Sequence, residues 1–365
     1  MSPSLLQLGR RMVRSITVGR HGAAEARQRK GLILLYHRVA SPECDPQQLC
    51  VSPENFAAQL PVLKQVARPL PLAEMASRVI AKDGNGHGNL LGNADAPAVA
   101  VTFDDGYADN FLTARPILAA QEIPATVFVA AGYVDAQREF WWDELEGLLL
   151  HPGELPRRLS ISAVDGPLSC DLNGSPRYSQ ADFARHRGWS VTEPDDPTPR
   201  HALYRLLCER LRRMPVATRE QALVDVLRWA GRQRRVRESH RAVSADELRE
   251  WARNDSIEIG AHTMHHPILS GLSADAQECE IVHSRRRLHE ITGTAPTSFS
   301  YPYGTRRDYG GRTVQLVRSA GFSRACVNSP GFVGRRTDPF RLPRFVVRDW
   351  PADVFARRIE EWLRG

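Results

Sequence analysis

The chain has 365 residues, enough for one large α/β domain or two smaller ones. Hydrophobic residues at 42% and charged ones at 25% describe an ordinary soluble globular protein, and no stretch approaches transmembrane length. The net charge of +7 favours anionic surroundings (nucleic acid, anionic lipid, phosphorylated glycan), with an Arg-rich solvated surface as the plain alternative.

Residues 1–30 form a polar, basic lead-in. Leu5, Leu6 and Leu8 are followed by Arg10, Arg11 and Arg14, without the long apolar core or small-residue cleavage pattern of a secretory signal. A cytoplasmic protein is expected. Residues 4–18 are either a frayed terminus or a short basic amphipathic helix lying on the inner membrane face. The six cysteines are scattered with no C-x-x-C pair, so reduced thiols and no Cys-bound metal are expected.

Gly31 to His37 reads as a buried strand ending in a histidine. Ser52-Pro53 opens a helix as N-cap and first residue. Residues 82–96, rich in Gly and Asn, read as a loose loop. The apolar run Pro97–Phe103 is the next strand, leading into Asp104-Asp105-Gly106. A helix near 109–120 and a strand at Ala125–Ala130 follow. The pattern then changes. Residues 140–243 are rich in Arg and Pro, have few strand-like runs, and show helical periodicity near 201–213 and 219–233. This stretch is expected to be a partly helical insertion over one end of the main domain. Ser244-Ala245-Asp246-Glu247 is a capping box. Further strands are expected at Ser256–Ala261, Thr297–Gly304, Phe322–Val327 and Arg341–Val347. Helices are expected over 273–292, closed by Gly293, over 311–320, and over 351–363 within a terminal helical segment 351–365. Seven strands alternating with helices imply a parallel sheet closed into a barrel.

Two acids at the carboxyl end of a buried strand sit where α/β proteins place their chemistry. Successive side chains on a strand point opposite ways, so one of Asp104 and Asp105 can hold a metal while the other handles a proton. His262 and His266 are four apart, which on a helical turn puts both imidazoles on one face, a familiar zinc geometry. With Asp105 they make a two-histidine, one-carboxylate set that leaves positions open for water and substrate. His265 is the competing candidate ligand.

Three stretches in order, Thr102-Phe103-Asp104-Asp105-Gly106-Tyr107, then His262-Thr263-Met264-His265-His266-Pro267, then a strand into Tyr301-Pro302-Tyr303-Gly304, resemble the polysaccharide deacetylase family, the NodB-homology carbohydrate esterases. The resemblance covers residues 31–135 and 244–350. It implies a distorted (β/α)7 barrel of the NodB-homology type over 31–350, interrupted by the insertion. It also implies a hydrolase that removes an N-acetyl group from an amino sugar in a surface polysaccharide, oligosaccharide or lipid-linked glycan precursor, as in exopolysaccharide biosynthesis. A deformylase or other amide hydrolase on the same site, or an impaired glycan-binding relative, are the alternatives. By the resemblance Asp104 is the general base, and Asp105, His262 and His266 hold a divalent metal, most simply zinc. The backbone N–H of Tyr303 then faces the oxyanion.

The third stretch departs from the family pattern, because Ser300 stands where an arginine is usual. Arg344, a charge inside an apolar strand, is the candidate to supply that guanidinium and orient Asp104. The family's C-terminal acid histidine is missing too. Leu34-Leu35-Tyr36-His37 fits its L-x-x-H setting on the first strand, which barrel closure puts beside the last. His37 is therefore the expected general acid, an arrangement that resembles the biofilm poly-N-acetylglucosamine deacetylases. Trp141 and Trp142 are either core or a platform for sugar C–H faces, and Asp143 is a candidate for a substrate hydroxyl. The expected partner is an N-acetylated amino-sugar glycan. The basic charge adds a peripheral contact with anionic membrane or lipid-linked glycan, and nucleic acid is not expected.

Overall fold

The structure, a computed structural model, describes residues 30–80, 97–163, 166–173, 176–253 and 256–364. The readings for residues 4–18 and 82–96 lie outside it. Among the described residues no helix is long and apolar enough to cross a membrane.

Seven parallel strands carry the architecture: β1 Gly31–Tyr36, β2 Ala98–Phe103, β3 Ala125–Val129, β4 Ile257–Ala261, β5 Ser298–Ser300, β6 Arg324–Cys326 and β7 Phe345–Val346. Their order across the sheet is β6-β5-β4-β3-β2-β1-β7, with the short strand Arg68–Pro69 paired to β2. β1, β2 and β3 are buried along their whole length, as a parallel sheet covered on both faces requires. The register of Ile33 with Ala100, Thr102 with Thr126, and Gly260 with Phe128 aligns the carboxyl ends of the central strands at one rim.

The sheet curls until its two edges meet through the last segment. The Leu342 N–H donates to Ala325 O, and Leu342 O accepts from Val327 N, on the β6 side. Three residues later, Phe345 and Val346 pair with Leu34 and Leu35 of β1. Closure is thus made by an irregular stretch, in which Arg344 lies between the two pairings. The first and last strands are neighbours.

Helices wrap the sheet. Ser52 caps Pro53–Val66, the Ser244/Glu247 capping box opens Ala245–Trp251, and Ala274–Thr292 stops at Gly293, whose φ of 75° suits a left-handed cap. Pro53–Val66 packs against the terminal helix Ala352–Arg364.

Residues 140–243 contain the helices Trp141–Leu149, Pro199–Leu211 and Val216–Trp229. They also hold a hairpin of Arg158–Ala163 with Gly166–Asp171, in a stretch expected to be partly helical with few strand-like runs. Its apolar alternation is carried by few residues, Leu159, Ile161 and Leu168, too short a run to stand out among polar neighbours. These elements share their own apolar core, in which Leu145, Leu203, Tyr204, Leu207 and Leu223 are buried.

Candidate active site

A cavity of about 490 Å³ opens at the carboxyl rim. His37 follows β1, Asp104 and Asp105 follow β2, His262 follows β4, and Tyr303 follows β5; all line it, with His266, Trp141 and Trp142. Parallel strands bring their carboxyl ends together, which is why residues more than 200 positions apart share one wall.

Asp105, His262 and His266 place one donor atom each within 4.8 Å of one another. Nε2 of His262 lies 3.6 Å, and Nε2 of His266 3.3 Å, from Asp105 Oδ1. Nδ1 of His262 is hydrogen-bonded to Ser300 O at 2.7 Å, which fixes the tautomer and leaves Nε2 with a free lone pair. Asp105 Oδ1 and His266 Nδ1 are buried with no hydrogen-bond partner. Burial, then the charges of Asp104 and Asp143, push the Asp105 carboxyl well above the ordinary range. Burial also holds both imidazoles below their ordinary value, so they are neutral at pH 7. Neutral imidazoles around an unsatisfied carboxylate oxygen suit a divalent cation of the zinc type.

The two histidines do not sit on a helical turn. Residues 262–266 form a loop in which Thr263 and His266 take φ of 63° and 54°. The left-handed residues, rather than an i,i+4 helical face, turn His266 back toward Asp105. Of the seven described non-glycine residues with positive φ, four stand here: Asp105, Thr263, His266 and Tyr303. Strain of about 1–3 kcal/mol per residue persists only where surrounding contacts enforce it. Backbone and side-chain contacts hold the 262–266 loop. Thr263 O accepts from Ala131 N, and Met264 O from Gly132 N. The Glu280 carboxylate accepts from Met264 N and His265 N at 2.9 and 2.8 Å. His265 Nδ1 pairs with the same carboxylate at 2.7 Å, so this ring is turned away from the Asp105 cluster.

Asp104 is held differently. Arg344 Nη1 donates to its Oδ1 at 2.8 Å and Nη2 to its Oδ2 at 2.7 Å. The Ser300 hydroxyl donates to Asp104 Oδ2 at 3.1 Å and accepts from Arg344 Nη2 at 2.9 Å. A serine thus fits where an arginine is usual, because the guanidinium arrives from the closing segment. Burial, the largest single influence, would raise the Asp104 carboxyl, but the charge and hydrogen bonds of Arg344, together with His262 and His37, outweigh it and hold Asp104 below the usual carboxylate range. Breaking such a buried pair by removing one partner costs about 3–5 kcal/mol. His37 is open to the cavity yet deep in the protein, and burial lowers its pKa to about 4 against the pull of Asp104.

Asp143 needs a correction. It does not line this cavity; its carboxylate accepts from the Tyr107 hydroxyl at 2.7 Å, and that hydroxyl accepts from Trp142 Nε1 at 2.8 Å. The first turn of the helix Trp141–Leu149 turns Asp143 away from the cavity, where it anchors Trp142 through Tyr107. Trp141 and Trp142 are both buried and both reach the cavity wall, so packing and lining are not exclusive.

Sequence reading missed Glu280 and two arginines from residues 140–243. Arg212 lies over the Tyr303 ring at 4.6 Å, and Arg219 reaches the 262–266 loop. The signal for Arg219 was its place on the buried face of its helix, with Ala222, Leu223 and Val226.

Fold and donor set together define a parallel α/β barrel with a two-histidine, one-carboxylate candidate cation site at its carboxyl rim. More particularly, residues 92–153 and 226–325 match the model of the polysaccharide deacetylase family, in two stretches separated by residues 154–225. YxkH of Bacillus subtilis, a protein named for the polysaccharide deacetylases, is 26% identical over 105 residues, 29% of this chain and 36% of its own length. The chain therefore aligns with about a third of that curated relative. Among solved structures, IcaB from Ammonifex degensii superposes with a TM-score of 0.53 at 18% identity, over 92% of this chain and 97% of that one. BC0361, a polysaccharide deacetylase from Bacillus cereus, gives 0.52 at 15% identity over 92% and 69%. At these identities the likeness is one of fold.

Proposed function

We propose that the protein is a metal-dependent hydrolase that removes an N-acetyl group from an amino sugar in a glycan. The observation that carries this reading is the pairing of two unlike carboxylates in one cavity. Asp105 is left unsatisfied against two neutral imidazoles, while Asp104 is kept ionised by Arg344. That division separates a metal ligand from a proton acceptor.

Asp105, His262 and His266 would hold the cation. Zinc is the expected ion, and when bound it supplies Lewis acidity to the amide carbonyl and to water. Asp104, oriented by Arg344 and Ser300, takes the proton of the attacking water. The backbone N–H of Tyr303, at a left-handed turn on the cavity wall, faces the developing oxyanion. His37 hands a proton to the leaving amine. Trp141 and Trp142 supply apolar wall for sugar C–H faces. The family match and the fold support a glycan substrate. The basic charge supports a substrate attached to an anionic carrier or membrane, with the protein working at the cytoplasmic membrane face.

The test is elemental analysis followed by acetate and formate release from N-acyl amino-sugar oligomers. Wild type should carry one divalent ion and release acetate. His262→Ala should lose the ion. Asp104→Asn should keep it and lose about 10²–10⁴-fold in turnover, the usual share of general-base catalysis. Full metal content in His262→Ala, or near-normal turnover in Asp104→Asn, would overturn the assignment.

A further inference from the structure

The four carbonyls of residues 263–266 all accept hydrogen bonds. Backbone amides of Ala131 and Gly132 take the first two. The last two are taken by one side chain: Arg219 Nη2 donates to His265 O at 2.6 Å, and Nη1 to His266 O at 3.4 Å. Arg219 comes from the helix Val216–Trp229, in the stretch that the family match skips. It is completely buried, its guanidinium lies 5.7 Å from the Trp141 ring centre, and among the described residues it has no carboxylate partner.

A buried guanidinium without a countercharge is costly, so it needs strong acceptors and an aromatic face. Its two terminal nitrogens find acceptors on the loop that carries His266, and the Trp141 ring lies beside it, while its Nε is buried without a partner. The loop needs it in turn, since His266 is left-handed and its carbonyl would otherwise be buried without a donor. Glu280 holds the amides of Met264 and His265 from one side, and Arg219 holds the carbonyls from the other.

We infer that Arg219 is a positioning residue that fixes His266 for cation binding, which makes residues 140–243 part of the metal centre. This rests on the proposed metal-dependent reading. A partner that orients a ligand from outside the coordination sphere typically changes metal affinity by about 10–100-fold.

The test compares zinc affinity, by competition with a chromophoric chelator, in wild type, Arg219→Met and Arg200→Met. Arg200 is a similarly buried arginine of the same stretch, bonded to the carbonyls of Gly153 and Pro176 and not part of the cavity lining. Both variants should lower the melting temperature of the zinc-free protein. Only Arg219→Met should weaken zinc, by about 10–100-fold. Equal, wild-type zinc affinity in both variants would leave Arg219 a packing residue and overturn the inference. If Arg219→Met does not fold, Arg219→Lys decides: it can reach one carbonyl, so it should weaken zinc, and wild-type affinity would refute the role. A wild type that binds no zinc would instead strike at the proposed function.

Discussion

His37 sets the most specific question about single residues. Burial lowers its pKa to about 4, from about 6.5 in an unfolded chain. Between those values the unfolded chain takes up a proton that the folded protein refuses. Stability therefore falls as pH drops from about 6.5 to about 4, and the loss is complete below that. His37→Gln should flatten part of this fall in thermal melts of the chelated protein. His201, also lowered to about 4 by burial, should keep some of it. The ring is neutral at pH 7 at rest, so as an acid it acts only after gaining a proton during turnover. The variant should accordingly slow amide hydrolysis more than hydrolysis of an activated ester, whose leaving group needs no proton. Equal losses on both substrates would reduce His37 to a strand-end packing residue.

At the scale of elements, the site depends on how closely two loops approach. The Gly132 N–H bonds Met264 O at 2.8 Å, and a Cβ at Gly132 would lie 2.6 Å from that same oxygen. The clash is with backbone, so it is relieved only by moving the 262–266 loop away from the short helical turn Ala131–Tyr133. Gly132→Ala should cost about 1–3 kcal/mol, as overpacking does, and should loosen metal binding together with stability. A variant with wild-type melting temperature and metal content would show that the loop tolerates the shift. Nothing in the local sequence Ala130-Ala131-Gly132-Tyr133 signals this, because the constraint comes from a loop more than 130 residues away.

At the scale of the whole molecule, strands from both halves of the chain converge on one cluster of buried charge. A cation bound only by the folded state stabilises it by mass action, about 2.7 kcal/mol at a hundred times the dissociation constant. Adding zinc to the chelated protein should therefore raise its melting temperature by about 3–4 °C. The rise should be absent in His262→Ala. A rise of the same size in that variant would place the stabilising ion elsewhere.

By itself the sequence determined the succession of the seven sheet strands with their helices and the three stretches at the rim, though not the hairpin Arg158–Ala163 with Gly166–Asp171. Buried parallel strands need continuous apolar runs, and their chemistry must follow them directly, so Phe103-Asp104-Asp105 and Ala261-His262 were legible. Only the tertiary structure decided which guanidinium meets Asp104, because Arg344 reaches it through barrel closure, a contact 240 residues long in sequence. Tertiary structure also turned Asp143 from the cavity toward Tyr107, and brought Arg219 onto the His266 loop. Periodicity records which face of an element is buried, but not which distant polar group waits there. That is settled when the elements pack and every buried donor must find its acceptor.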